Sequence, residues 1–170
     1  ATPPQRIGYT FSRWSKTVGG AAYNFNDPVT SDMTLYAVWT PNTNTPYRVA
    51  YWFENPDDFN YSFVGYVQRT GTTEAAATFT QYTGDINLPT LDADFTYFTY
   101  NSALSETTKT IAGNGSTIVN VYYTRNTFTL RFLNANQTSV YNPPGTVMVK
   151  HGAKIDQYYD QASQTAGTRI

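Results

Sequence analysis

Four segments of this chain alternate apolar and polar residues strictly, and a period of two fits a β-strand that buries one face. The segments are 34–39, 47–53, 117–123 and 127–132. The chain also holds 28 threonines and 14 asparagines, which favour strands and the polar turns between them. Clusters of Gly, Asn, Asp and Pro separate the segments, at 19–20, 26–28, 55–58, 113–116 and 142–145. The pattern predicts a strand-rich fold.

Two other segments, 71–79 and 153–162, have the alanine content of short helices. The second also places apolar residues at helical spacing, namely Ile155, Tyr158, Tyr159 and Ala162. Each segment follows a pair of predicted strands, and these pairs are 47–53 with 61–68, and 127–133 with 145–150. A hairpin followed by a helix therefore occurs twice, which indicates an internal repeat of about 80 residues.

This repeat pattern predicts that the chain has three parts. The polar stretch 42–46 is interpreted as a linker between the first two. We predict a complete module at 47–125, the returning strands of a module at 1–40, and the hairpin and helix of a further module at 126–170. The predicted fold class is α+β, with one short helix per module. Each flank alone exposes an apolar face, so we expect head-to-tail self-association of the flanks between molecules. Folding of each flank against the centre is the alternative.

Composition excludes several classes of protein. The chain has no cysteine, so disulfides, thiolate chemistry and Cys-ligated metals are absent, and a single histidine leaves little material for a hydrolase triad. A net charge of −1 gives no field to attract nucleic acid, and no apolar run approaches the roughly 20 residues that cross a bilayer. We expect no enzyme activity, cofactor, nucleic-acid partner or membrane insertion. Because the chain opens with Ala-Thr-Pro-Pro and lacks a leader pattern, we expect a mature or excised segment.

Acidic residues provide two candidate sites, and neither has the pattern that its chemistry needs. Asp57-Asp58 and Asp92-Ala93-Asp94 offer the oxygen ligands that Ca²⁺ prefers, without the spacing of a calcium loop. Glu54 with Glu74 or Glu106 would form a glycosidase pair if the carboxyl groups lay about 5 to 9.5 Å apart. We therefore assign no catalytic and no metal-binding residue.

His151 and the lysines are the remaining reactive groups. His151 lies in a Lys-His-Gly-Ala turn and is interpreted as an exposed turn residue without a role. A lysine can form an isopeptide bond with an asparagine when both are buried beside a carboxyl group. The four lysines that could do so are Lys16, Lys109, Lys150 and Lys154.

Aromatic residues make up 16% of the chain, and their flat faces suit stacking on sugar rings. The clusters 97–100 and 158–159 are the candidates for such a site. Trp14, Trp39 and Trp52 lie in the middle of strand patterns, so we predict that they pack in the core.

Residues 8–14, 19–20, 23–25 and 27–39, which read GYTFSRW, GG, YNF and DPVTSDMTLYAVW, closely resemble the second half of the internalin B-repeat family. Arg13 departs from that pattern, because the family usually places glycine before this tryptophan. The segments 47–55 and 115–126 resemble mucin-binding-protein-like repeats, and 127–155 resembles the opening of a further repeat.

These resemblances imply tandem β-grasp, ubiquitin-like modules on secreted and wall-attached proteins, mostly of Gram-positive bacteria. They imply an extracellular, non-catalytic stalk whose neighbouring repeats are its partners and which presents an adhesive head. In a β-grasp module the first and last strands are parallel at the sheet centre, so the chain ends leave at opposite poles and modules concatenate. An adhesin module that itself binds mucin-type glycan or a host protein is the alternative, and an exposed aromatic patch would favour it.

Overall fold

The structure is a computed structural model that describes residues 2–79, 81, 95–133 and 145–158. This part of the chain contains eight strands, one 3-10 helix and three α-helical residues at 156–158. The strands are β1 (Tyr9–Ser15), β2 (Tyr36–Pro41), β3 (Thr45–Glu54), β4 (Tyr61–Gly71), β5 (Phe98–Tyr100), β6 (Ile118–Arg125), β7 (Thr127–Arg131) and β8 (Thr146–Lys150), and the 3-10 helix is Phe95–Tyr97.

The strands form three sheets. Two are antiparallel pairs, β1 with β2 and β7 with β8, and the third has the order β4-β3-β6-β5. Each pair is short of the three strands that usually make a sheet stable alone.

The two central strands of the four-stranded sheet, β3 and β6, run parallel. Near their starts, the Arg48 N–H donates to the Thr117 carbonyl at 2.9 Å, and near their ends the Arg125 N–H donates to the Glu54 carboxylate at 2.9 Å. β4 returns beside β3 through the loop 55–60, and β5 is antiparallel to β6. The sheet is therefore mixed. The β3–β4 hairpin forms one side, and β6 with its antiparallel neighbour β5 forms the other.

Alternation along β3 and β6 separates a buried face from an outer face. The buried apolar side chains of these strands are Tyr47, Val49, Ala50, Tyr51, Phe53, Val119, Val121 and Tyr123. Most follow the period of two that the sequence shows, since successive side chains of a strand point to opposite faces.

The chain forms two compact units. The first comprises Ala1–Ala50, Tyr66–Thr80 and Glu106–Asn120, and it includes β1 and β2. The second comprises Tyr51–Gly65, Gln81–Ser105 and Val121–Ile170, and it includes β5, β7 and β8. The predicted three-part division at 1–40, 47–125 and 126–170 remains a prediction.

The prediction of a strand-rich chain is confirmed, but the predicted helix at 71–79 is wrong. β4 continues to Gly71, and Glu74 has a φ of 69°, which a right-handed helix does not accommodate. The backbone of 74–77 instead pairs with 109–111, through the Glu74 and Ala77 N–H groups and the Ala75 carbonyl. Alanine favours the helix more than any other residue, but intrinsic helix propensity is a small energy per residue. These tertiary hydrogen bonds override it.

The second predicted helix, 153–162, is helical at 156–158, and residues 159–162 lie outside the described residues. Because the described part of the central module contains no α-helix, the tandem β-grasp fold remains a prediction. Among the helices that the structure describes, none has the length and apolarity to cross a bilayer.

The three tryptophans are less buried than the prediction of core packing requires. Trp14, Trp39 and Trp52 are all half-buried. Trp14 and Trp39 lie in a two-stranded sheet with too few neighbours to cover them, and Trp52 lies on the outer face of β3.

Candidate functional site: two matched joints

An asparagine that follows β2 joins three segments of the first unit. The Asn42 N–H donates to the Gly8 carbonyl and the Asn42 carbonyl accepts from the Thr73 N–H, both at 2.9 Å. The Thr10 hydroxyl donates to Asn42 Oδ1 at 2.8 Å. We call Gly8, Thr10, Asn42 and Thr73 the first joint.

An asparagine that follows β6 makes the same set of bonds in the second unit. The Asn126 N–H donates to the Tyr97 carbonyl at 2.8 Å, and its carbonyl accepts from the His151 N–H at 2.9 Å. The Thr99 hydroxyl donates to Asn126 Oδ1 at 2.7 Å. Tyr97, Thr99, Asn126 and His151 form the second joint, and its asparagine lies 84 positions after the first.

The strand pairs that lead into the two joints have the same register. In the first pair the partners are Tyr9 with Pro41, Thr10 with Thr40, and Phe11 with Trp39. In the second pair they are Phe98 with Arg125, Thr99 with Thr124, and Tyr100 with Tyr123. The third position carries an edge-to-face aromatic contact in both pairs, with centroid distances of 5.7 and 5.8 Å. β1–β2 and β5–β6 are therefore equivalent in their register and in the joint that follows each pair.

Each joint asparagine holds two elements of the chain together. Its N–H and Oδ1 bind the strand pair of one repeat, whereas its carbonyl binds the end of the next hairpin, at Thr73 or His151. Gly8 allows the close fit of the first joint, because its φ is 81° and a Cβ there would overlap the backbone of Gly113.

Side chains reinforce the two joints differently. At the first, Arg6 lies 3.6 Å from Glu74, but both side chains are about half-exposed, so the pair contributes little. A hydrogen bond to Glu74 raises the pKa of the Tyr9 hydroxyl. At the second, the His151 ring stacks on Tyr97 with centroids 3.7 Å apart and planes 7° apart.

A desolvated ion pair lies beside the second joint. Lys150 Nζ lies 2.8 Å from Glu54 Oε1, and the side chains are 15% and 7% exposed. Glu54 Oε2 accepts the Arg125 N–H, and the Arg125 guanidinium donates to the Glu54 and His151 carbonyls at 2.6 and 3.1 Å. Burial lowers the pKa of Arg125, although the carboxylates of Glu54 and Asp57 oppose that shift. These contacts fasten the β7–β8 hairpin within the second unit.

The candidate glutamates occupy separate structural settings. Glu54 pairs with Lys150 in the second unit, whereas Glu74 and Glu106 belong to the first unit. Burial alone raises the pKa of Glu106, but hydrogen bonds from Lys109 and Asn120 outweigh it, so the pKa lies below its ordinary value.

The carboxylates proposed as calcium ligands, Asp57 and Asp58, instead accept backbone hydrogen bonds. Asp57 accepts the Lys154 N–H at 2.8 Å and Asp58 accepts the Asn60 N–H at 2.7 Å. The bond from Asn60 is the main cause that lowers the pKa of Asp58. Asp92 and Asp94 lie outside the described residues. Within the described ranges no group of three metal-ligating side chains occurs.

For the isopeptide hypothesis, the described part of the chain supplies two of the three groups in one place, Lys150 and Glu54. The ammonium of Lys150 also donates to the Asp58 carbonyl and lies over the Phe59 ring at 4.3 Å. The Lys–Asn cross-link therefore stays a hypothesis.

The interpretation of His151 as a turn residue is confirmed, but its expected exposure is wrong. His151 is in a turn but half-buried, because its ring packs on Tyr97 and its backbone belongs to the second joint. Phe98 is buried in the same region and Tyr100 contacts Tyr123, so the cluster 97–100 is largely structural. Tyr159, in the other aromatic cluster, lies outside the described residues.

An aromatic row on the outer face of the second unit was missed by sequence reasoning. Trp52 lies 6.0 Å from Tyr122 with planes 20° apart, and it meets Phe63 edge-on at 5.4 Å. Tyr61 contacts the far side of this row at Tyr122, and Asn101 donates to the Tyr61 hydroxyl. We call Trp52, Tyr61, Phe63 and Tyr122 the outer row.

Sequence reasoning also missed the joints, although a signal for them exists. Both asparagines end the pattern aromatic-Thr-x-Asn, which reads Trp39-Thr40-Pro41-Asn42 and Tyr123-Thr124-Arg125-Asn126. The pattern is short, and only the shared register shows that the two copies are equivalent.

A chain whose strand pairs recur through matched joints belongs to the class of repeat proteins. Residues 1–38 match a family model described as the Listeria-Bacteroides repeat domain, a repeat of extracellular bacterial surface proteins. The match includes β1 and the start of β2. The internalin B-repeat and mucin-binding-protein-like resemblances remain predictions. A search of curated proteins found no match, and neither did a search of solved structures.

Proposed function

We propose that this chain is a non-catalytic repeat region of a cell-wall-attached protein of a Gram-positive bacterium. It acts as an extended spacer that presents an adhesive head, and its direct partners are the neighbouring repeats. The observation that carries the proposal is the pair of matched joints. A joint that recurs with the same hydrogen bonds attaches successive repeats in the same way, and such attachment favours a linear array.

The parallel pair β3 and β6 supports the same proposal. Strands that run parallel enter the sheet at one end and leave it at the other, so the chain advances by one module length. Tandem β-grasp modules that each advance the chain in this way would lengthen the protein, and this function needs no catalytic residue.

The test changes the number of periods without changing a joint. Residues 43–126 form one period, and inserting a second copy after Asn126 again places Thr43 after an asparagine. Small-angle scattering should show the maximum dimension growing by a constant increment for each added period. On cells, the same insertion should raise the head without changing the affinity of the head for its ligand. A maximum dimension that does not grow with added periods would contradict the spacer.

The outer row favours an alternative function, an adhesin that binds mucin-type glycan or a host protein. Phe63 is 51% exposed, the row itself carries the hydroxyl of Tyr61, and the amide of Asn101 lies beside that hydroxyl. Aromatic faces with neighbouring polar groups suit a sugar ring.

A glycan array separates the two functions. The variant Phe63→Ala removes the exposed ring of the outer row, and Phe25→Ala removes a 67% exposed phenylalanine that is not part of it. Binding by the unchanged chain that Phe63→Ala alone abolishes would establish the adhesin. Silence of all three proteins favours the spacer.

A further inference from the structure

The chain enters and leaves the four-stranded sheet through two strands that lie side by side. Of the strands in this sheet, β3 comes first along the chain and β6 comes last, and the two are neighbours in the order β4-β3-β6-β5. β3 begins shortly after Asn42 of the first joint, and β6 ends directly before Asn126 of the second joint. A pull on the chain from outside the sheet therefore acts on the start of β3 and on the end of β6.

Hydrogen bonds join this pair of strands at both of its ends. At the start, the Arg48 N–H donates to the Thr117 carbonyl at 2.9 Å. At the far end, the Arg125 N–H donates to a Glu54 carboxylate oxygen at 2.9 Å, and the Arg125 guanidinium donates to the Glu54 carbonyl at 2.6 Å. Because the strands run parallel, a pull on the start of β3 and the end of β6 is directed along both strands.

Packed side chains join the two strands along their length. The Tyr51 ring lies 6.4 Å from the Tyr123 ring, and the Phe53 ring lies 5.4 Å from it. Six side chains of the pair are at most 4% exposed, and they are Val49, Tyr51, Phe53, Val119, Val121 and Tyr123. Sliding one strand past the other would separate these side chains and expose their apolar surface to water.

The direction of a force decides how the contacts of such a pair fail. When the force runs along the strands, every contact between them shares it, so all must break almost together. When the force instead separates two adjacent strand ends, the contacts break one after another, and each alone carries the whole force. Forced unfolding is governed by the unfolding rate, and the barrier that sets this rate is higher in the first case.

We infer that the β3–β6 pair is a mechanical clamp that keeps the sheet folded while the chain is under tension. This inference rests on the proposed spacer, because a spacer between a cell and an adhesive head is stretched when the head is bound. The clamp adds a second property to that spacer, namely resistance to unfolding by a pull through its two joints.

Single-molecule pulling on the full chain tests the clamp. The sequence has no cysteine, so two introduced cysteines are its only thiol attachment points. Asn44→Cys with Thr127→Cys places the first pair of handles, at the start of β3 and just past the end of β6. Asn44→Cys with Ser116→Cys places the second pair at the two strand starts, and all three positions are exposed. These starts are adjacent, since a Cβ on Gly115 would lie 2.9 Å from Pro46 Cγ.

The sheet should rupture at a force at least about twice as high with the first pair of handles as with the second, because only the first pulls along the strands. Urea unfolding is the control, and both double variants should have the same free energy of unfolding. Equal forces, or a larger force with the second pair, would overturn the inference. If a variant is destabilised, Thr43→Cys and Thr129→Cys, also at exposed positions, replace Asn44→Cys and Thr127→Cys.

Two matched variants show whether the contact between β3 and β6 carries the resistance. Glu54 and Glu106 each accept a backbone N–H of β6 and each pair with a lysine, but only Glu54 belongs to β3. Glu54→Met and Glu106→Met remove the acceptor and keep most of the volume. Glu54→Met should lower the rupture force with the first pair of handles, whereas Glu106→Met should leave it unchanged.

The second pair of handles separates a mechanical role of Glu54 from a general loss of stability. With these handles Glu54→Met should leave the rupture force unchanged, because the Glu54 contact lies at the end of the pair that breaks last. A change that lowers the force equally with both pairs of handles would overturn the inference, as would an equal loss from Glu106→Met.

The clamp and the spacer can fail separately. The scattering test measures how the maximum dimension grows with the number of periods, whereas the pulling test compares two directions of force on one sheet. A chain that lengthens by a constant increment but ruptures equally in both directions would retain the spacer and overturn the clamp. The reverse result would contradict the spacer and leave the clamp as a property of the sheet.

Discussion

Removal of the Glu54 carboxylate gives the most direct measure of what fastens the second joint. Glu54→Gln keeps the size of the side chain and an oxygen that can accept the Arg125 N–H, but it removes the charge opposite Lys150. Lys150→Met removes the other charge and keeps most of the volume. The double variant removes both.

Burial of the Glu54–Lys150 pair sets the size of the expected loss in the free energy of unfolding. At 2.8 Å and an effective dielectric constant of about 20, two unit charges attract by roughly 6 kcal/mol before desolvation is subtracted. Breaking a buried pair by removing one partner typically costs about 3 to 5 kcal/mol. Lys150 is 15% exposed and keeps the Asp58 carbonyl, so we expect about 2 to 3 kcal/mol for Glu54→Gln. The double variant should lie within about 1 kcal/mol of the unchanged chain, because no buried charge is left unpaired.

Urea unfolding followed by circular dichroism measures these free energies in a double-mutant cycle. Hydrogen exchange then shows where the loss occurs. Exchange should quicken in 145–150, which holds β8, and stay unchanged in 9–15 and 36–41 of the first unit. This control separates loosening near the second joint from a general loss of stability.

A solvent-screened pair would behave differently. If Glu54→Gln costs less than about 0.5 kcal/mol and the two single changes add up in the double variant, the pair contributes no more than an exposed ion pair. The reasoning from burial would then be wrong.

Three further predictions test other parts of the structure. Gly8→Ala should cost more than about 3 kcal/mol, because it combines a positive φ with backbone overlap, whereas Gly19→Ala, with φ 71° and open space, should cost about 1 kcal/mol in thermal unfolding. The pKa of Glu106 is lowered in the folded state, so the ionised carboxylate stabilises the fold at neutral pH and loses that effect as pH falls through the lowered pKa. The melting-temperature difference between wild type and Glu106→Gln should therefore shrink below about pH 4. Tyr123→Ala should cost about 3 to 5 kcal/mol in urea unfolding and its half-buried equivalent Trp39→Ala distinctly less, and equal losses would contradict the difference in packing.

Much of the strand content was predictable from alternation. The segments 47–53 and 117–123 became β3 and β6, and the predicted hairpin at 127–133 and 145–150 became β7 and β8. β5 was not predicted, because three residues, Phe98–Tyr100, are too short to show a period.

Sequence periodicity was a poorer guide where long-range contacts compete with local preference. Alanines at 75–77 favour a helix, yet this segment pairs with the distant backbone of 109–111. Likewise Trp52 lies at an outer position of β3, a choice between two faces that alternation alone leaves open.

The amino-acid sequence by itself determined that this chain is rich in strands and that cysteine, thiolate and histidine-rich metal chemistry have no place in it. These properties depend on residue type and on spacing along the chain. Only the tertiary structure decided that Asn42 and Asn126 make the same joint, and that Glu54 meets Lys150. Those contacts join residues 25 to 96 positions apart, and their formation depends on strand register and burial, which emerge only when the sheets assemble.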